Sequence, residues 1–115
     1  LGLTCRQVGD DVIIIAIAGE LDMATAPQAR AYLQDKTAAK PNHVVLDLTE
    51  VGFIGSHGFH LLSDAHQGLD DIHGQLHLIG VSSNRPVRRA LDITGLAAVL
   101  DIEDDPDQLL RRLSG

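Results

Sequence analysis

The sequence predicts an α/β domain built on a mixed, mostly parallel sheet of four to five strands with packed helices. Three observations predict it. Short aliphatic runs recur along the chain, a helix-start signal follows each of the three longest, and no repeat, low-complexity tract or linker breaks the alternation. With 115 residues, 44% apolar and 22% charged, one domain over 1–115 with a core from about 3 to 113 is expected.

The elements follow in order. Leu3 to Val8 and Val12 to Ala18 read as a hairpin, with Gly9, Asp10 and Asp11 as turn residues. The second run is β-branched without polar alternation, the pattern of a strand covered on both faces. Thr25-Ala26-Pro27-Gln28 offers a threonine cap, a proline in the first turn and a glutamine three residues on, which predicts a helix from about Ala26 to Ala38. Val44 to Leu48 is a second buried strand, and Thr49 to Gly55 is expected as a loop. Ser56 is expected to cap the next helix. Counting 100° per residue, Leu61, Leu62, Ala65 and Leu69 face the core, and His57, His60, Ser63, Asp64 and Gln67 form an exposed polar arc. Gln75 to Val81 is the third strand, and Ser83 or Asn84, with Pro86, opens a helix that Gly95 stops. Leu96 to Ile102 is ambiguous. Asp104-Asp105-Pro106 opens a last helix, and Arg111-Arg112 closes it with cations suited to the helix dipole. The three long runs are expected as adjacent central strands joined by right-handed crossovers.

Composition narrows the function. A formal charge of -7 and only three aromatic residues argue against direct nucleic-acid binding, which needs a basic groove and stacking platforms. Cys5 is the single cysteine, so no internal disulfide or multi-cysteine zinc site can form, and a reducing, cytoplasmic setting is expected. Val12 to Ala18 is far below membrane-spanning length, and no membrane partner is expected. No phosphate-binding loop, dinucleotide fingerprint, nucleophile elbow or zinc motif occurs. The expectation is a binding module without a cofactor, and not an enzyme.

Leu46-Asp47-Leu48-Thr49-Glu50-Val51-Gly52-Phe53-Ile54-Gly55-Ser56-His57-Gly58 resembles the signature of STAS domains, specifically of the anti-sigma factor antagonists. Gly19-Glu20-Leu21-Asp22 with Thr25-Ala26-Pro27 resembles the second motif of that family, and Pro86 to Leu96 its helix after the third core strand. The resemblance implies a partner switch. An unphosphorylated antagonist binds an anti-sigma factor, usually a serine kinase of the histidine-kinase-like ATPase fold, and a sigma factor is released. Phosphate at the start of the helix ends the contact by adding about -1.5 to -2 charges. The other STAS classes it allows are a subunit of a lipid-transport complex and the regulatory domain of an anion transporter.

Switched members of the family carry Asp-Ser-Ser-Gly or Asp-Ser-Thr-Gly, and the matching residues here are Gly55-Ser56-His57-Gly58. His57 thus stands where the acceptor hydroxyl is expected, and an imidazole differs from it in reach and chemistry. Ser56 is the remaining phosphorylation candidate, and a helix cap is its plainer role. The resemblance makes Asp22, Gly55, Ser56, His57, Phe59 and His60 the expected partner-binding set. Each has a plainer reading: local backbone hydrogen bonding for Asp22, a rim position in the core for Phe59, an exposed ring for His57. His57, His60 and Asp64 share one arc but lack a fourth ligand, so no metal site is expected. Oligomeric state is left open.

Overall fold

The computed structural model describes residues 1–113, so the last two of the expected 1–115 span lie outside the described residues. The chain runs β1 (Gly2–Val8), β2 (Val12–Leu21), α1 (Ala26–Thr37), β3 (His43–Ile54), α2 (Ser56–Asp71), β4 (Gln75–Ile79) and α3 (Arg85–Thr94). A single 3-10 turn (Leu96–Ala98), β5 (Asp101–Ile102) and α4 (Pro106–Leu113) complete it. The strands form one sheet in the order in which they occur, β1-β2-β3-β4-β5. The β1–β2 pair is antiparallel, as a hairpin must be, and every later pair is parallel. The sheet therefore has the mixed, mostly parallel character expected, with the three long runs side by side.

Alternation along each strand divides the core in two. Val44, Leu46 and Leu48 of β3 join Ile15, Ile17 and Leu78 on the face covered by Leu33 of α1, Leu61, Leu62 and Leu69 of α2, and Val87 and Leu91 of α3. Three successive crossovers that step across the sheet in one direction with one hand leave their helices on one side. Val12, Ile14, Val45 and Ile79 point the other way, where Leu109 of α4 meets them. Burial on both faces is why Val12 to Ala18 shows no polar alternation. The start of α4 is fixed by Asp105, whose carboxylate accepts from the Asp107 and Gln108 N–H groups at 3.0 and 3.2 Å.

Three local expectations are corrected. The loop expected over Thr49 to Gly55 is strand as far as Ile54, and β2 runs on past Ala18 to Leu21. The two strands keep pairing, Ala18 with Glu50, Gly19 with Val51, Glu20 with Phe53 and Leu21 with Ile54, through two register irregularities. Gly19, at φ +114°, takes a backbone conformation closed to most residues at the second irregularity. Glycines that look like punctuation are bulge residues here, because burying Leu21, Val51 and Ile54 outweighs the turn signal. The ambiguous stretch Leu96 to Ile102 is a 3-10 turn followed by the short edge strand β5. Thr25 precedes α1 without capping it, since its hydroxyl donates to the Glu20 carbonyl at 2.5 Å and approaches Asp22 Oδ1 at 3.1 Å.

Asn84 does cap α3. Its Oδ1 accepts from the Val87 N–H at 3.5 Å, and its Nδ2 donates to the carbonyls of Leu48 and Val51 at 2.9 and 2.7 Å. One side chain thereby ties the extended end of β3 to the next helix.

Candidate functional site at the start of the second helix

The extensions of β2 and β3 carry two chain segments to the same end of the sheet. At that end the Gly55 N–H donates to the Leu21 carbonyl at 3.0 Å, which sets the Asp22 loop beside the start of α2. Gly55 is extended, at φ -106° and ψ -169°, and is itself the residue preceding the helix. Ser56 is the first helical residue and not the cap, which corrects the sequence expectation by one position. Its hydroxyl has no hydrogen-bond partner among the described residues, and the side chain is exposed. The cap role therefore does not occupy it.

Gly58 explains how closely α2 sits on the sheet. A Cβ there would lie 2.6 Å from Ile54 Cγ1 and 3.1 Å from Leu21 Cβ, so a side chain would push the first helical turn off the strand ends. His57 and His60 point to solvent, whereas Phe59 is half-buried against the main core. No acidic side chain lies in the first turn of α2.

Asp22 organises the neighbouring loop. Its Oδ1 accepts from the N–H groups of Ala24 and Thr25 at 2.9 and 3.0 Å, and its own N–H donates to Thr25 Oγ1 at 3.0 Å. The backbone hydrogen bond from Thr25, helped by the Thr25 hydroxyl and the Ala24 N–H, holds the Asp22 carboxyl below its ordinary range against the effect of burial. This is the local backbone role open to it in the sequence.

The arc of His57, His60 and Asp64 does not converge. Asp64 turns to Arg30 of α1, with Oδ2 2.7 Å from the guanidinium. Among the described residues no group of three or more His, Cys, Asp or Glu is placed to hold a metal ion. An apolar cavity of about 330 Å³ between α1 and α2 includes Arg30 and Asp64 in its wall and none of the residues of the turn.

Two exposed apolar side chains flank the turn and were not legible as site residues. Met23 is 72% exposed on the Asp22 loop, and Phe53 is 50% exposed at the end of β3. The signal for Phe53 was its place in the presumed loop, where an aromatic has no core to enter.

The chain belongs to the STAS domain family, whose model matches residues 6–109. Within that family it is similar to an anti-sigma-B factor antagonist of Listeria monocytogenes, 29% identical over 104 residues that cover 90% of each chain. It is also similar to the anti-sigma-F factor antagonist RsfB of Mycobacterium tuberculosis, 31% identical over 86 residues that span 74% of this chain and 67% of that one. In fold it matches the crystal structure of an anti-sigma factor antagonist from Mycobacterium paratuberculosis, with a TM-score of 0.86, 24% identity, and coverage of 99% and 94% of the two chains. No helix among the described residues is long and apolar enough to cross a membrane.

Proposed function

We propose that this STAS domain, taken as 1–115, is an anti-sigma factor antagonist that acts by binding. It sequesters an anti-sigma factor in the cytoplasm and so frees a sigma factor, without catalysis or a cofactor of its own. The observation that carries the reading is the exposed turn Gly55-Ser56-His57, set beside the Asp22 loop by the Leu21–Gly55 hydrogen bond. The relatives named as antagonists favour it over the lipid-transport and anion-transporter readings.

In this reading the partner is a serine kinase of the histidine-kinase-like ATPase fold. Asp22, Gly55, Ser56, His57, Phe59 and His60 form the contact surface, and Met23 and Phe53 extend it with apolar area. His57 replaces the acceptor hydroxyl of switched family members, so phosphorylation control is altered or lost. Ser56, with a free hydroxyl, is the position open to phosphate.

Calorimetric titration against a cognate anti-sigma kinase tests the proposal. Ser56→Asp and His57→Asp should each weaken binding by about tenfold or more, because an unpaired charge is placed in a desolvated contact. His57→Ala should be milder. Equal affinities for the native chain and all three variants would remove this turn from the interface.

A further inference from the structure

The cavity of about 330 Å³ between α1 and α2 has an aliphatic floor, an open mouth and one unpaired charge. Leu33 of α1, Val44 of β3, Leu61 and Leu69 of α2 and Leu76 of β4 make the floor. The mouth runs between the two helices, with Arg30 and Gln34 on the α1 rim and Asp64, Gly68 and Ile72 on the α2 rim.

Gly68 keeps the mouth open. Asp64 lies one turn before it and Ile72 one turn after it, so position 68 falls midway along the α2 rim. Glycine in a helix interior is unfavourable relative to alanine. Neither packing nor conformation calls for it here: a Cβ at position 68 would meet nothing within 4 Å, and its φ is not in the left-handed region. Gly58 of the same helix is the contrast, since a Cβ there would lie 2.6 Å from Ile54 Cγ1. What the missing side chain at position 68 supplies is access to an apolar interior, beside an isoleucine that is itself 36% exposed.

The charges in the wall select the ligand. They belong to Arg30, Asp64 and Lys40. Arg30 and Asp64 neutralise one another at 2.7 Å. Lys40 stands just past the end of α1, and no side-chain hydrogen bond or ion pair engages its ammonium among the described residues. The Thr37 hydroxyl is committed to the Leu33 carbonyl at 2.8 Å, which leaves the lysine as the cation free to meet a ligand. An aliphatic interior with one such cation at its edge is complementary to an aliphatic chain that ends in a single negative charge. The volume is at the lower end of the roughly 300–1,000 Å³ that small-molecule sites span, so the chain must be short.

We propose that this cavity binds a free medium-chain aliphatic carboxylate, with the chain lying on Leu33, Leu61 and Leu69 and the carboxylate at Lys40. The site shares no residue with the Ser56 turn, and the assignment does not rest on the antagonist reading.

NMR titration of the full chain with decanoate, kept below its micelle concentration, tests the site. Shifts are expected at Leu33, Ala65, Gly68 and Ile72. Octanoate, two methylenes shorter, should bind about fifteenfold more weakly, the factor that two buried methylenes supply. Decylammonium should bind about fivefold more weakly than decanoate, because it meets Lys40 with like charge. Lys40→Met keeps an aliphatic stem and should remove that preference. Gly68→Leu puts a side chain into the mouth with a better helix former, so it should abolish decanoate binding while the Tm holds or rises. Shifts centred on the exposed Met23 and Phe53 instead of the cavity, equal affinity for decanoate and decylammonium, or undiminished binding to Gly68→Leu would each overturn the proposal.

Discussion

The ring of Phe53 lies over the backbone of Gly55, so that a Cβ at position 55 would stand 3.2 Å from Phe53 Cε2 and 3.4 Å from Cζ. The motif that the sequence resembles implies an aspartate at this position, and here the aromatic ring occupies the space beside it. Gly55→Asp should therefore cost about 1 kcal/mol of stability, while the same change in a Phe53→Ala background should cost less. Chemical denaturation of the four chains of this double-mutant cycle measures the coupling. Additive effects would separate the two residues.

With the serine kinase proposed above as partner, incubation with that kinase and ATP should leave His57 unmodified, since such a kinase aligns a hydroxyl oxygen with the γ-phosphate. Any phosphate should be found on Ser56, whose hydroxyl is uncommitted. Intact-mass and peptide spectra decide this, and stoichiometric acid-labile phosphate on His57 would refute it.

Asp22 should leave a signature in acid. Its carboxyl is held below the ordinary 3.8 mainly by the Thr25 backbone hydrogen bond, so it stabilises the fold above that value. The contribution is lost as the pH falls through the lowered value. Asp22→Asn keeps an acceptor for the Ala24 and Thr25 N–H groups but not the charge. The Tm difference between the native chain and Asp22→Asn should be constant near neutrality and shrink below about pH 4. A difference that stays level down to about pH 2.5 would exclude this role.

Two glycines with similar positive φ should respond differently to alanine. Gly80 has φ +73°, and a Cβ there would lie 2.2 Å from Thr49 Oγ1 and 2.6 Å from Thr49 N. Gly95 has φ +80° with open space around it. Gly95→Ala should cost about 1–2 kcal/mol from conformation alone. Gly80→Ala should cost about 3 kcal/mol or more, because strand backbone must also move. Urea midpoints measure both, and equal costs would show that the close approach at Gly80 relaxes freely.

Much of this architecture was legible because it depends on local pattern. The aliphatic runs at β2, β3 and β4, the proline near the start of α1 and α3, and Gly95 after α3 each announce themselves within a few residues. The errors fall where distant pairing decides. Nothing near Gly52 or Gly55 shows that Leu21 and Ile54 keep the strands together past Gly19. The Ser56 turn could be found from its motif, but the freedom of its hydroxyl depends on which residue precedes the first helical turn. The bond of the buried His77 to Asp101, 2.5 Å between Nδ1 and Oδ2, was hidden for a related reason. A histidine inside an apolar run gives no sign of its partners until the register places Asp101 opposite it and His43 one strand away.

Because the strands join the sheet in the order in which they are made, most of this chain can assemble as it leaves the ribosome, each βα unit docking beside its predecessor. The exception is the second face. Until α4 has been synthesised, Val12, Ile14, Val45 and Ile79 have no helix to cover them, and a sheet already complete in outline carries an oily side open to neighbouring chains. In order of synthesis this face is therefore the last part of the core to be covered.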